Sequence, residues 1–222
     1  GLFTVTGFIN RMGGMLLELG AWHIMALILM SFVFGWLVGM GLPPTATYII
    51  GAVVIVGPLT KLGVNPWVAH FFVFLISVWG ELSPPTSLTA AISARIAEAS
   101  FMKTMWEALR ICLPITLMTF AIFSRSEMVV TPGWIQVGTT LVVTIGTFGT
   151  ALGMFGRLVE NPAVDYLLRA VLILVSFVAL FYPDDIVSAA TAAFVLAAII
   201  FGVLRHLRLA PPKHGLKPEP AI

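Results

Sequence analysis

One cysteine occurs in 222 residues, Cys112, and it lies in an apolar stretch, so an internal disulfide cannot form and dithiol chemistry is excluded. A small hydrophobe is its expected role. Charge is scarce too: Asp, Glu, Lys and Arg make up 10% of the chain, and twelve cations against ten anions leave a net charge of +2. Those cations fall between apolar runs and in the tail, which offers no basic face for nucleic acid. HExxH and GxSxG strings are absent, and nothing suggests an enzyme. His23 and His70 lack a second His, Cys or carboxylate at ligand spacing and read as structural histidines. The chain opens at Gly1 with neither Met nor a basic leader, so it reads as the C-terminal portion of a longer polypeptide.

What is abundant is apolar. Hydrophobic residues are 59% of the chain, mean hydropathy is +1.03, and several runs approach the roughly 20 residues that cross hydrocarbon. An all-α integral membrane protein is expected. Residues 1–21 mix apolar positions with Asn10, Arg11 and Glu18, which suits an interfacial connector helix. Residues 22–130 form one unit. Trp22 to Met40 is a long apolar run halted at Gly39 to Pro44, and Thr45 to Leu59 is apolar again with no charge between the two pieces. That pattern predicts a re-entrant helical hairpin with its tip at Gly41 to Thr45. Pro66 to Glu81, a break at Leu82 to Pro85, and Thr86 to Ala99 predict a discontinuous helix. Lys103, Glu107 and Arg110 share one helical face, predicting an interfacial arm over Phe101–Arg110 that leads into a span over Ile111–Phe123. Three further spans occupy residues 131–210, making about four after the broken helix, and residues 211–222 form a polar tail. Trp22 and Trp67 are expected interfacial anchors, and the excess of Lys and Arg on one side of these spans predicts a cytoplasmic C-terminus.

Both interruptions are Pro-Pro followed by hydroxyl residues: GMGLPPTATYI and WGELSPPTSLTA. Proline removes a backbone donor and frees a carbonyl one turn back, and lipid cannot satisfy either loss. Such backbone survives at membrane depth where it lines a cavity or binds something, and paired breaks point to the binding site of a secondary transporter. In the first break Gly39 and Gly41 tolerate unusual backbone angles, Pro43 and Pro44 are expected to stop the helix, Thr45 to cap the next one, and Thr45 and Thr47 to offer hydroxyls. In the second, Ser83 is the expected cap, Pro84 and Pro85 begin the new helix, and Thr86, Ser87 and Thr89 sit in its first turn. The positive helix ends suit a carboxylate, and carbonyls near Gly41, Leu42, Leu82 and Ser83 suit Na+. Glu81 stands one residue before the second break, either as a proton or cation ligand or as a cavity-facing or Arg-paired carboxylate without a role in turnover.

The order GMGLPPTATYI, KLGVNPWVAHFFVF, LSPPTSLTAAISARIAEASFMKTMWEALR resembles the C-terminal half of the large membrane subunit of TRAP (tripartite ATP-independent periplasmic) transporters, in the fused type that works with TAXI solute receptors. The resemblance is close over Gly35 to Val130 and looser beyond. It implies an elevator transporter built from two inverted repeats, each with one hairpin and one broken helix. It further implies Na+ as coupling ion, a carboxylate-bearing solute delivered by a periplasmic binding protein, and a bacterial inner-membrane location. The implied partners are the N-terminal half of the same permease, a small membrane subunit, fused or separate, and the lipid bilayer. Carried onto this chain, Gly41, Leu42, Thr45 and Thr47 match the hairpin tip, and Ser83, Pro84, Pro85 and Thr86 match the helix break. The chain departs from the pattern at Pro44, where Thr is more usual, and at Glu81, where a small or amide residue is more usual. The competing readings are a proton-coupled carboxylate carrier without a receptor, with Glu81 titrating, and a non-transporting membrane anchor subunit.

Overall fold

The structure, a computed structural model, describes residues 6–82 and 87–209, and all regular structure among them is helical. The elements are α1 (Phe8–Trp22), α2 (Ile24–Gly39), α3 (Pro44–Lys61), α4 (Pro66–Glu81), α5 (Leu88–Ile96), α6 (Phe101–Ser124), a single turn α7 (Glu127–Val130), α8 (Trp134–Phe155), α9 (Pro162–Phe181) and α10 (Asp185–Leu209). Among the described residues five helices, α3, α6, α8, α9 and α10, are long and apolar enough to cross a membrane, and α2 and α4 are shorter apolar helices. The chain is an all-α, multi-pass membrane protein. The predicted tail and the first five residues of the connector lie outside the described residues.

Local chemistry sets where the short helices begin. The His23 side chain accepts the Met25 N–H at 3.1 Å and caps α2, while Asn65 accepts the Trp67 N–H at 2.9 Å and caps α4 ahead of Pro66. Asn161 does the same for α9, ahead of Pro162. Helices α2 and α3 form the predicted hairpin. Its tip is Met40–Pro43 rather than Gly41 to Thr45, because Pro43 is extended and Pro44 takes the first helical position. Residues 52–56 of α3 widen into a π turn. The cause is Pro58, which has no N–H to return to the Val54 carbonyl four residues back.

The connector helix α1 packs along the hairpin. Its Gly13 lies against the Val54 carbonyl, its Gly20 against Leu27 and Leu62, and its Leu16 is buried in a core with Leu27, Ile55, Leu59, Phe72 and Ile76. In hydrocarbon such a core holds by close fit rather than by exclusion of water, which is why small residues sit where helices cross.

Downstream of α4 the broken helix resumes at Leu88, not Thr86, and ends at Ile96, not Ala99. It closes in a Schellman turn, with Ala99 N–H to the Ala94 carbonyl at 2.9 Å and Glu98 in the left-handed region at φ +50°. The predicted arm and span are one helix, α6, of 24 residues. Pro114 forfeits one hydrogen bond inside it without interrupting it. Helix α6 returns antiparallel to α4, with Phe120 and Phe123 against Phe72. Helices α8 and α9 then pack antiparallel, Gly146, Gly149 and Gly153 facing Leu180, Ser176 and Ile173, and Val195 of α10 closes on Gly149. A buried guanidinium ties this bundle together: Arg125, 3% exposed, donates to Asp185 at 2.9 Å and to the Tyr182 carbonyl and Ser188 hydroxyl.

Candidate functional site

Helices α2 and α4 each contain 16 residues, about 24 Å at 1.5 Å per residue, which is short of the roughly 30 Å of a hydrocarbon core. They lie side by side and parallel. Gly35 of α2 meets Ile76 of α4, and one turn on, Gly39 meets Gly80. A Cβ on Gly39 would stand 2.8 Å from the Gly80 Cα, and one on Gly80 would stand 2.7 Å from the Gly39 Cα, so backbone touches backbone. Because the two helices have equal length and run in register, the hairpin tip and the helix break finish at one level. A cavity of about 420 Å³ opens between them, lined by Gly39, Met40, Gly41, Leu42, Pro43, Pro44, Glu81 and Leu88.

The same register is written in the sequence as a repeat: Gly39-Met-Gly-Leu-Pro43-Pro44-Thr45 and Gly80-Glu-Leu-Ser-Pro84-Pro85-Thr86, both G-x-x-x-P-P-T, offset by 41 residues. Gly35 with Ile76 and Gly39 with Gly80 carry that offset into space. In a continuing helix the carbonyls of Gly39 and Met40 would be closed by the N–H groups of residues 43 and 44. Both are proline, and among the described residues no donor reaches the Gly39, Met40 or Gly41 carbonyl. Pro84 and Pro85 remove the corresponding donors for Gly80 and Glu81. Free carbonyls beside a cavity are hard oxygen donors for a cation.

The predicted residues divide into those the fold gathers and those it does not. Gly39, Gly41, Leu42, Pro43 and Glu81 line the one cavity. Neither Gly39 nor Gly41 has a positive φ, so their tolerance of unusual backbone angles is not used: Gly39 is needed for close approach, and among the described residues nothing lies within 4 Å of a Cβ at Gly41. Thr45 is exposed on the first turn of α3 and caps nothing, since the residue at the cap position is Pro43. Thr47 is buried, and its hydroxyl turns back to the Pro43 carbonyl at 3.2 Å and the Leu42 carbonyl at 3.4 Å. It braces the tip from behind. Ser87 supplies the cap expected of Ser83: its Oγ accepts the Ala90 N–H at 3.0 Å in a buried position. Ser83, Pro84 and Thr86, and with them the Ser83 carbonyl, lie outside the described residues.

Glu81 is the one acidic side chain on the cavity wall, and no lining residue is cationic. The Thr89 hydroxyl donates to its Oε1 at 3.0 Å, reaching across the break from the first turn of α5. Among the described residues no ion pair involves Glu81, so the Arg-paired alternative finds no partner there. Met40, Pro44, Leu88, Gly80 and Thr89 complete the site and were not singled out as ligands from sequence; the 41-residue repeat is the signal that could have pointed to Gly80. The histidines have structural partners, His23 at the α2 cap and His70 with the Tyr48 hydroxyl at 3.0 Å between α3 and α4. No group of three His, Cys, Asp or Glu side chains comes together among the described residues.

Residues 1–128, more than half of the chain, match the protein family described as "Tripartite ATP-independent periplasmic transporter, DctM component". The match ends just after α6, and α8 to α10 lie beyond it. No curated protein and no solved structure matches the chain.

Proposed function

Because the chain belongs to the DctM component family of TRAP transporters, we propose that its tip-and-break cavity is half of the solute- and ion-binding site of a Na+-coupled permease. The observation that carries this reading is the Gly39–Gly80 contact, which brings two donor-stripped helix ends onto a single cavity. Na+ fits the chemistry: the carbonyls of Gly39 to Leu42 are neutral hard oxygens, and the Glu81 carboxylate adds one negative charge. The carboxylate of the solute is held at the N-terminal ends of α3 and α5, whose dipoles point their positive ends at the break level. Hairpin and broken helix move together as an elevator against a scaffold that includes α8 to α10. The second half of the site comes from the N-terminal half of the same permease, of the fused TAXI-associated type, and a periplasmic binding protein delivers the solute.

Charge sorting supports a bacterial inner-membrane orientation with the C-terminus in the cytoplasm. Among the described residues Arg95, Lys103, Arg110, Arg157, Arg169 and Arg205 fall at the end of the bundle where α6 starts and α8 and α10 finish, whereas Lys61 and Arg125 fall at the opposite end and Arg11, expected there too, lies on α1 between the two. Trp22, Trp67 and Trp134, all largely exposed, form an aromatic belt at that opposite end.

The test is uptake by proteoliposomes holding the complete transporter with its binding protein. Collapse of the sodium gradient is expected to stop uptake, and Glu81→Gln is expected to weaken Na+ dependence while the amide oxygen keeps the Thr89 bond. Glu81 also favours one second reading, proton coupling through its carboxylate. Uptake that ignores sodium, follows the proton gradient and loses its pH dependence in Glu81→Gln would establish that reading instead.

A further inference from the structure

We propose that the cavity at the charged end of α8 and α10 is a binding site for one anionic membrane phospholipid. This inference is independent of the transport reading. The cavity is half-open, holds about 570 Å³, and lies where both spans reach their cation-rich end. Its walls are apolar, from Leu152, Phe155, Leu158 and Val203, and Gly202 leaves one wall without a side chain. Its rim carries Arg157 and Arg205.

The two guanidinium groups converge on one residue. Arg157 donates to the Glu160 carbonyl at 3.0 Å, and Arg205 donates to the Glu160 carboxylate at 3.2 Å and the Leu158 carbonyl at 2.6 Å. Arg157 also reaches the Val159 carbonyl at 3.4 Å. An arginine has five N–H donors, so each keeps donors for a further acceptor. Glu160, 80% exposed at its side chain, cancels one of the two charges and leaves the rim net positive. A third guanidinium, Arg110, sits 5.6 Å over the Phe155 ring, itself paired with Glu107 at 3.8 Å. The rim is also preset: Asp165 accepts the Leu158 N–H at 2.6 Å and the Val159 N–H at 3.0 Å, and Arg169 holds the Gly153 carbonyl at 2.7 Å, so the loop after α8 is tied down before any ligand arrives. Apolar walls at the ends of membrane spans suit acyl chains, and a cationic rim above them suits a phosphodiester. A lipid with net negative charge satisfies both. A zwitterionic one satisfies the walls and returns its own cation to the rim.

The experiment is native mass spectrometry of the complete protein, delipidated in detergent and titrated with dioleoyl phosphatidylglycerol or dioleoyl phosphatidylcholine. Wild type is expected to retain phosphatidylglycerol preferentially. Arg157→Gln should reduce that retention about fivefold, the effect of one basic residue at an anionic headgroup. Gly202→Leu should reduce retention of both lipids with helical content unchanged, whereas Gly202→Ala, whose Cβ would meet Leu158 at an ordinary 3.5 Å, should leave retention intact. Equal retention of the two lipids by wild type overturns the proposal, as does displacement of phosphatidylglycerol by inorganic phosphate alone. Should deletion of residues 210–222 abolish the preference while Arg157→Gln preserves it, the basic tail reads the headgroup and the cavity does not. If Gly202→Leu does not fold, the Arg157→Gln comparison decides alone.

Discussion

Replacing Gly39 by alanine tests whether the hairpin tip and the helix break act as one site. The new Cβ would lie 2.8 Å from the Gly80 Cα, below the 3.0 Å that real Cβ contacts essentially never undercut and well short of the 3.4 Å of an ordinary contact, so the backbones must part. Neither side can yield by rotating a side chain, because both neighbours are backbone. Overpacking of this kind costs about 1–3 kcal/mol, and alanine recovers at most about 1 kcal/mol of helix propensity at the last residue of α2. The net penalty, about 0–3 kcal/mol and about 1–2 kcal/mol at mid-range, falls on the arrangement in which the cavity walls meet. If ions bind only to that arrangement, their apparent affinity drops roughly 5- to 30-fold at 1.4 kcal/mol per decade. The assay is half-saturating sodium for uptake in proteoliposomes, read beside thermal unfolding of the same preparation. Gly80→Ala should behave alike, since its Cβ meets Gly39 at 2.7 Å, and Gly138→Ala, exposed on α8 with nothing among the described residues within 4 Å, should leave sodium affinity unchanged. Wild-type sodium affinity and melting temperature in Gly39→Ala, or a larger defect in Gly138→Ala, would refute the reasoning.

Thr47→Val removes the hydroxyl behind the tip while keeping its shape; a loss of about 0.5–1.5 kcal/mol in thermal unfolding is expected, with a greater effect on uptake than Thr45→Ala, whose side chain braces nothing. Ser87→Ala should cost about 1 kcal/mol through the lost cap of α5, measured the same way, and Ser87→Asp should restore it. Asp185→Asn should change the melting temperature little, since the carboxylate is 96% exposed and Arg125 keeps Tyr182 and Ser188, whereas Arg125→Ala should cost about 2–3 kcal/mol by vacating a buried, multiply bonded position. Glu98→Gly should stabilise by about 0.5–1 kcal/mol, because the Schellman position it occupies at φ +50° charges every side chain a steric cost that glycine avoids.

Thr45, expected to cap α3, shows where linear reasoning stops. Thr45 follows the proline pair directly and looks like a cap, yet Pro44 has already taken the first helical turn, so the residue four beyond Pro43 reaches back instead. At the second break the cap fell to Ser87 because α5 begins at Leu88. Gly39 shows a different limit: a glycine's freedom of φ can be read along the chain and is not used here, whereas its lack of a Cβ matters only beside a neighbour.

By itself the sequence determined the apolar spans, the caps at Asn65 and Asn161, and the places where proline strips a helix of its donors, since each depends on residues within a turn of one another. Pro43 and Pro44 free the Gly39 and Met40 carbonyls whatever else the chain does. That those carbonyls share a cavity with Glu81 was decided only in the tertiary structure, where α2 and α4, equal in length and parallel, bring Gly39 onto Gly80 across 41 residues of chain. Local sterics act through covalent neighbours and can be read along the chain, whereas the coincidence of two helix ends depends on packing between surfaces that no short stretch contains.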